Sequence, residues 1–281
     1  MGVGQCQHGA IPMRFTHYET GGFFDEMFDA DGEPRSAARA LSQFIETLPD
    51  GEFLRRQQSA ERALLHMGIT FNVYGDRAGT ERIFPCDLVP RIVAAAEWSF
   101  IERGLKQRIR ALNLFIDDVY HEQRIIKDGV VPAEILRTAT SFRQACVGLD
   151  PPRGIWCHIT GTDLVRDGDG QIYVLEDNLR CPSGVSYVLL NRLIIKRTFP
   201  QLFESHRIRP VDDYPGRLRD TLESLGPADV ETPRVVVLTP GPYNSAYFEH
   251  AFLAQQMGVE LVEGRDLVAS DGFVWMRTTK G

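Results

Sequence analysis

The segment from Gly161 to Asn178, GTDLVRDGDGQIYVLEDN, constrains the fold of this chain more than any other. Two β-rich stretches flank the sequence Asp-Gly-Asp-Gly at Asp167–Gly170, which predicts a tight turn between antiparallel strands. The two β-rich stretches are Gly154–Thr160 (GIWCHIT) and Gln171–Glu176 (QIYVLE), and both are predicted to be strands. The chain therefore has to accommodate a β-hairpin near its middle.

The position of this turn predicts which residues of the hairpin face one another. With the turn as the loop, Arg166 pairs with Gln171, and Asp163 lies across from Val174. Glu176 is then one diagonal step from Asp163, so that the two side chains can approach each other. A shift of the pairing by one residue would move every side chain of a strand to the opposite face.

Side chains alternate between the two faces of a strand, so Glu176 and Asn178 are predicted to share a face with Ile172 and Val174. Asp177 is predicted to point the opposite way. Carboxylate and amide oxygens on one face suit a hard cation such as Mg²⁺, which completes its shell with phosphate and water. The predicted magnesium ligands are Asp163, Glu176 and Asn178.

The alternative for this hairpin is a solvated acidic surface that binds nothing, because acidic turns are common on proteins. Asp167 and Asp169 in the turn are predicted to belong to such a surface. Asp163 and Glu176 differ from them, because two neighbouring carboxylates without a cation would repel each other.

The spacing of apolar residues predicts the remaining elements. Helices are expected at Ser36–Leu48, Gly51–Met67, Pro90 to about Ile126, Pro132–Cys146, Val185–Ile195 and Tyr214–Leu225. Strands are expected at Ile69–Tyr74 and Glu81–Phe84, and then in a β-α-β unit made of Arg234–Leu238, Ala246–Met257 and Val259–Val262. With the strand-like segment Phe273–Arg277 added, this unit still cannot cover its own sheet, so the last part of the chain is expected to be incomplete.

Composition excludes several classes of protein. A net charge of −7 over 281 residues disfavours general nucleic-acid binding, which needs clustered Lys and Arg. No apolar run approaches the ~20 residues that span a bilayer, and Met1–Arg14 lacks the apolar centre of a signal peptide, so a cytoplasmic protein without membrane partners is expected. The five cysteines include no CxxC pair and are expected to be reduced thiols.

Four segments of the chain, together with the spacing of the three predicted ligands, carry a family resemblance. They are YGDRAGTERIFPCDLVPRI (74–92), VLEDNLRCPSGVSYVLLNR (174–192), LTPGPYNSAYFEHAFLAQQMGVELVEG (238–264) and VWMRTTKG (274–281). Asp163 is followed thirteen and fifteen residues later by the Glu and Asn of an E-x-N sequence. These features resemble circularly permuted ATP-grasp proteins of type 2, which are relatives of glutathionylspermidine synthase. The resemblance covers nearly the whole chain.

The resemblance implies an α+β fold, with an ATP-grasp metal-binding subdomain followed by the start of a Rossmann-like α/β (pre-ATP-grasp) domain. It divides the chain into an N-terminal helical extension (1–68), the metal-binding subdomain (69–210) and an incomplete Rossmann-like domain (211–281). It also implies an enzyme that uses ATP and Mg²⁺ to activate a carboxylate as an acyl phosphate and to join it to an amine. The substrates would be small molecules or peptides, and the sequence leaves a homo-oligomer open.

Site residues follow from the same resemblance. The three predicted ligands match the family's metal positions, and Ser183 and Gly184 lie in the following loop, where they would bind the nucleotide near the reacting phosphate. Arg180 is the expected catalytic residue, because a planar guanidinium can stabilise charge on a phosphoryl group in transfer. The alternative for Arg180 is an ion pair with Asp177 or Glu176.

The chain departs from the family pattern in one respect. The family's ATP-clamping lysine and its glycine-rich strand have no match, since none of Lys106, Lys127 and Lys196 has that context. The chain is therefore expected to be the N-terminal portion of a longer ligase and to be inactive alone. The alternative is an inactive module that binds a partner or a metal.

Two weaker pairs of candidates remain. Glu249 and His250 follow Asn244-Ser245 on a predicted helix, where they could face a substrate, but a solvated helix face is the favoured interpretation. Arg82 and Arg91 could hold an anionic substrate or pair with Asp87.

Overall fold

The chain divides into two compact parts in the computed structural model, which describes residues 14–16, 18–72, 81–83 and 85–279. The discontinuous unit combines Met1–Ile92 with Ser183–Gly281, and the inserted unit is Val93–Pro182. Mixed helix and strand content agrees with the expected α+β class. The division into three segments that the sequence predicts stays a prediction, because these two units follow spatial proximity and do not test it.

Helices and strands alternate along the described residues. The helices are α1 (Arg39–Glu46), α2 (Glu52–His66), α3 (Ala95–Tyr120), α4 (Arg124–Lys127), α5 (Ala133–Thr138), α6 (Val185–Thr198), α7 (Pro200–Ser205), α8 (Tyr214–Glu223) and α9 (Tyr247–Met257). The strands are β1 (Thr70–Asn72), β2 (Glu81–Ile83), β3 (Gly161–Arg166), β4 (Ile172–Asn178), β5 (Val236–Leu238), β6 (Glu260–Val262), β7 (Leu267–Ser270) and β8 (Phe273–Met276).

The core of the discontinuous unit joins helices from its two chain segments. Leu41 and Ile45 lie one turn apart on α1, and Leu190 and Ile194 do the same on α6, so each pair occupies one helix face. Leu64 of α2 completes the contact as a fully buried side chain. Burial of each such side chain stabilises the fold by about 1.5–3 kcal/mol, so this cluster fixes the position of α6.

The C-terminal part of the discontinuous unit contains the predicted β-α-β unit. Strands β5 and β6 are parallel, and α9 connects them. The strand predicted at Phe273–Arg277 exists as β8, but it pairs with β7 as an antiparallel hairpin. In the described residues each sheet has two strands, so β8 does not extend the β5–β6 pair.

The inserted unit is built on the 26-residue helix α3. The predicted helix begins at Ala95 and not at Pro90, and Tyr120 ends it before the short helix α4. The β3–β4 hairpin is tied to α3 by two ion pairs, Arg166 Nη1 with Glu97 and Arg108 Nε with Asp177, each at 2.6 Å.

The strand predicted at Gly154–Thr160 is wrong. After a short 3₁₀ turn, the N–H groups of Trp156 and Cys157 both donate to Asn113 Oδ1 on α3, each at 2.9 Å. Trp156 Nε1 also donates to Asp117 on the same helix. A helix side chain thus satisfies backbone donors that a neighbouring strand would otherwise pair.

The helix predicted at Pro132–Cys146 is also too long. Helix α5 ends at Thr138, Ala139 is extended at φ −68° and ψ 103°, and only a 3₁₀ turn follows at Gln144–Cys146. Thr138, Thr140 and Ser141 are weaker helix formers than Ala or Leu, which agrees with the early end. Within the described residues, no helix combines the length and apolar character needed to cross a membrane.

Candidate metal and phosphate site

The hairpin places two of the predicted ligands directly opposite each other. Asp163 pairs with Glu176, whereas Leu164 pairs with Val174, so Leu175 is an extra residue in β4. The predicted register, with Asp163 across from Val174, is therefore wrong. The β-bulge at Leu175 accounts for part of the shift, because two residues of one strand there oppose one of the other.

The bulge also changes which residues share a face. Ile172 and Val174 lie on the half-buried face of the hairpin, together with Asp177, whereas Glu176 is exposed. The expected grouping of Glu176 with Ile172 and Val174 is wrong, since an extra residue interrupts the alternation of a strand. Glu176 and Asp177 do face opposite ways, as predicted, and Asp177 has a side chain only 7% exposed.

Three oxygen-bearing side chains meet on the exposed side. Asp163 and Glu176 are both exposed cross-strand partners, and Asn178 Nδ2 donates to Glu176 Oε1 at 3.2 Å. Two like charges directly opposite each other destabilise a hairpin unless something neutralises them. No group of three His, Cys, Asp or Glu that could hold a metal ion exists in the described part of the chain, so a metal here would need the Asn178 amide oxygen as its third protein ligand.

Asp177 has a structural position behind this face. Its Oδ2 accepts Arg108 Nε at 2.6 Å, and its Oδ1 accepts the Thr162 hydroxyl at 3.0 Å. The expected alternative for Arg180, an ion pair with Asp177, is therefore not the one observed. Arg180 is exposed, and among the described residues its guanidinium makes no hydrogen bond or ion pair with Asp177 or Glu176.

The chain after β4 turns sharply before it leaves the inserted unit. Cys181 adopts a left-handed conformation at φ 51°, which is uncommon for a residue with a side chain. A Cβ added at Gly161 would lie 2.8 Å from Cβ of Pro182. The first residue of β3 therefore has to be glycine for the turn to pack against the hairpin.

The discontinuous unit begins its second segment at Ser183, which is exposed. Gly184, at φ 99°, precedes α6, and its N–H donates to Glu249 Oε2 at 2.7 Å. Glu249 lies on α9 and is only 9% exposed, so the favoured interpretation of a solvated helix face is wrong for this residue. His250 Nδ1 lies 3.0 Å from the hydroxyl of the buried Thr239.

Comparison with known proteins shows the family to which the chain belongs. The sequence model of the family described as circularly permuted ATP-grasp type 2 matches residues 90–281, which is more than half of the chain. The chain belongs to this family. The matched region contains β3, β4 and the turn that follows them.

Relatives of this family member are longer than the chain itself. An uncharacterized protein of Synechocystis is 56% identical over 269 residues, which cover 96% of this chain and 56% of that protein. A protein of Frankia casuarinae, provisionally named a glutamate–cysteine ligase, is 40% identical over 95% of this chain and 30% of its own length. The chain thus spans about half the length, or less, of these relatives.

A solved structure supports the fold of this ATP-grasp chain. The glutathione synthetase-like effector of Globodera pallida, in its apo form, has a TM-score of 0.52 and 13% sequence identity. The match covers 82% of this chain and 56% of the effector. At this identity the likeness shows the fold alone.

The structure answers only some of the questions about the weaker candidates Arg82 and Arg91. Arg91 forms an ion pair with Glu26, and the Asp87 carboxylate accepts the N–H of Val89 instead of pairing with Arg91. The side chain of Arg82 lies outside the described part of the chain. Asp167 is not simply solvated, because its Oδ1 accepts the N–H groups of Asp169 and Gln171 within the turn.

Sequence reasoning did not find two long-range contacts that involve these segments. Arg108 on α3 pairs with Asp177 across 69 positions, and Glu249 reaches Gly184 across 65. No local pattern reports such distant pairs. A signal does exist for Glu249, because it lies in the first turn of a helix beside aromatic residues, and the ring centroids of Phe248 and Tyr187 are 5.4 Å apart. Burial, followed by the charge of Glu249, raises the pKa of Tyr187.

Proposed function

We propose that this chain provides the magnesium- and phosphate-binding part of an ATP-dependent carboxylate–amine ligase. The observation that carries the proposal is the direct cross-strand pairing of the exposed Asp163 and Glu176, with Asn178 hydrogen-bonded to Glu176. Two negative charges directly opposite each other on neighbouring strands are unfavourable without a cation. Membership of the ATP-grasp family makes Mg²⁺ carried by ATP the fitting cation.

In the proposed site, Asp163, Glu176 and Asn178 hold Mg²⁺ through oxygen atoms, the donor type that this ion prefers. When bound, Mg²⁺ neutralises charge on the nucleotide phosphates. Arg180, whose guanidinium is exposed beyond the end of β4, stabilises negative charge on the phosphoryl group in transfer. Ser183 and Gly184 contact the nucleotide, and because the Gly184 N–H is bonded to Glu249, Gly184 contributes its left-handed turn and lack of a side chain.

The proposed reaction joins a carboxylate to an amine at the expense of ATP. A carboxylate oxygen attacks the γ-phosphorus, ADP leaves, and an acyl phosphate forms. The amine then attacks the acyl carbon, phosphate leaves, and the amine loses a proton. The name of the Frankia casuarinae relative, a glutamate–cysteine ligase, supports small-molecule substrates of this class, although this chain covers 30% of that protein. We place the activity in the cytoplasm, without nucleic-acid or membrane partners.

A second candidate, an interaction module without catalysis, is favoured by one observation. Several large apolar side chains near the C-terminus are exposed; they are Leu238, Phe273, Val274 and Trp275. Exposed apolar groups of this kind usually pack against another segment or a partner. This surface is compatible with the ligase as well, since the relatives are longer than this chain.

Substitution of one predicted ligand tests the proposal. Glu176→Gln keeps the shape of the side chain but removes one anionic ligand, so we expect binding of Mg²⁺ with a non-hydrolysable ATP analogue to weaken by at least about tenfold, or ~1.4 kcal/mol. Isothermal calorimetry measures the affinity, and circular dichroism checks the fold. Asp169→Asn is the matched control, because it removes the same charge from the exposed turn of the same hairpin. Equal affinities for the two variants would reject the magnesium site.

A further inference from the structure

Glu249 is a buried acidic residue without an evident structural reason for its charge. It lies near the start of α9 and is only 9% exposed. Charged side chains are rarely buried without a partner, because they lose their hydration. The hydrogen bond that the structure gives its carboxylate comes from a backbone amide, the N–H of Gly184, at 2.7 Å.

Gly184 is the residue at which the chain enters α6. Its φ of 99° lies in the region that favours glycine, and an added Cβ would meet nothing within 4 Å. The constraint at this position is thus the backbone conformation and not space. A side-chain oxygen that accepts this amide stabilises the turn, because a partly buried backbone N–H without an acceptor is unfavourable.

Aromatic side chains also connect the two helices that carry this contact. Tyr187 in the first turn of α6 packs against Phe248, with ring centroids 5.4 Å apart. Phe248 in turn packs against Phe252, with ring centroids 5.7 Å apart. Ser186 and Leu190 of α6 are buried in the discontinuous unit. Since Phe248 directly precedes Glu249, its packing against Tyr187 keeps the start of α9 next to the turn at Gly184.

We propose that Glu249 is a positioning residue for nucleotide binding: its carboxylate holds the Gly184 amide and thereby sets the turn that presents Ser183 and Gly184 to the phosphates of ATP. The inference rests on the proposed function, because it takes Ser183 and Gly184 as nucleotide contacts. Glu249 acts through the backbone and does not touch the nucleotide. A neutral oxygen in the same place should therefore retain most of the effect.

Two substitutions separate this role from simple packing. Glu249→Gln keeps an oxygen that can accept the Gly184 N–H, whereas Glu249→Ala removes it. We expect Glu249→Ala to weaken binding of Mg²⁺ with a non-hydrolysable ATP analogue by at least about tenfold, and Glu249→Gln to stay within a few-fold of the unsubstituted chain. Gln256→Ala is the control, because Gln256 is an exposed polar residue of the same helix.

Hydrogen exchange at the Gly184 amide, measured without ligand, provides a second readout. We expect faster exchange in Glu249→Ala than in Gln256→Ala, because the amide has lost its acceptor. If Glu249→Ala does not fold, Glu249→Asp replaces it, since the shorter side chain keeps the charge but moves the carboxylate away from Gly184. The same losses are expected for that variant.

The outcomes distinguish this inference from the proposed function. If the unsubstituted chain binds the Mg²⁺–nucleotide and Glu176→Gln does not, but Glu249→Ala binds as well as Gln256→Ala, only the positioning role is overturned. Tighter nucleotide binding by Glu249→Ala also overturns the positioning role, because the carboxylate would then compete with a nucleotide phosphate for the Gly184 N–H. If the unsubstituted chain fails to bind, or Glu176→Gln binds equally well, the proposed function fails and the inference falls with it.

Discussion

Asp177 and Glu176 are adjacent acidic residues with different surroundings. Glu176 is exposed beside Asp163, whereas Asp177 points back and bonds both Arg108 and Thr162. We expect Asp177→Asn to lower the free energy of unfolding by about 1–3 kcal/mol, because it removes a charge-assisted hydrogen bond from a nearly buried site. Urea denaturation measures the loss. Asp169→Asn, in the exposed turn, should change stability by less than about 0.5 kcal/mol, and equal stability of the two variants would contradict the structural role.

Arg180 offers a test of phosphoryl stabilisation that is separate from stability. Arg180→Lys keeps the charge but loses the planar fork of the guanidinium. In a longer chain that carries the ATP-clamping segment, we expect kcat to fall at least about tenfold, or ~1.4 kcal/mol of activation free energy, with the thermal midpoint unchanged. Steady-state kinetics give the first quantity and calorimetry the second. Unchanged turnover would show that the guanidinium of Arg180 does not stabilise the phosphoryl group in transfer.

At the scale of residues, the sequence predicted contacts between residues that are close together in the chain. The proximity of Asp163, Glu176 and Asn178 was predictable from the hairpin, although the predicted register was wrong, and their role as magnesium ligands stays a prediction. Arg108 was not predictable, because its partner Asp177 lies 69 positions away and only the packing of α3 against the hairpin brings them together. Glu249 was assigned to a solvated face for the same reason.

At the scale of elements, the close approach of Gly161 and Pro182 connects the start of β3 with the turn beyond β4. A Cβ at Gly161 would lie 2.8 Å from Pro182 Cβ, so either the turn or the strand would have to move. We expect Gly161→Ala to destabilise the inserted unit by about 1–3 kcal/mol, measured by urea denaturation.

Gly168 provides the control for this substitution. It lies in the turn of the same hairpin, and an added Cβ there would meet nothing within 4 Å. Gly168→Ala should therefore unfold at nearly the same urea concentration as the unsubstituted chain. If Gly161→Ala unfolded at the same urea concentration as Gly168→Ala, Pro182 would move away from the added Cβ without loss of stability. That result would contradict the close packing of the turn against Gly161.

Long periodic elements were predicted well, and short β-rich ones were not. Helices α2, α6 and α9 appear within a few residues of their predicted bounds, because apolar spacing and burial agree along them. The β3–β4 register was wrong for two reasons: Arg166 next to the turn pairs with Ile172 and not with Gln171, and the bulge at Leu175, which has no sequence signature, shifts the pairing by one more residue. The segment Gly154–Thr160 has strand composition but no partner strand, since Asn113 binds its amides instead.

At the scale of the whole molecule, we expect residues 1–281 alone to show ATPase and ligase activity near background. Phosphoryl transfer requires closure against water and further cationic stabilisation beyond Arg180, and no lysine in ATP-clamping context occurs in this sequence. Addition of the lysine-bearing, glycine-rich portion of a longer relative, in the same chain or separately, should restore activity. Phosphate release and product formation are measured with and without Mg²⁺.

A monodisperse sample provides the decisive control for that expectation. The exposed Leu238 and Trp275 favour self-association, so light scattering has to accompany each assay. Mg²⁺-dependent multiple turnover by monodisperse residues 1–281 would contradict the interpretation of this chain as part of a site. The magnesium ligands could then still be correct, because Glu176→Gln tests them independently.

Because the discontinuous unit is interrupted in sequence, its core can form only late during synthesis. Leu41, Ile45 and Leu64 leave the ribosome early, but α6, which covers them, follows the roughly 90 residues of the inserted unit. At about 5–20 residues per second, that delay is about 5–20 seconds. Closing a loop of that length also costs about 4 kcal/mol of chain entropy, which a folded inserted unit reduces by bringing its two ends to fixed positions. Nascent α1 and α2 thus lack part of their apolar cover until Leu190 and Ile194 have been synthesised.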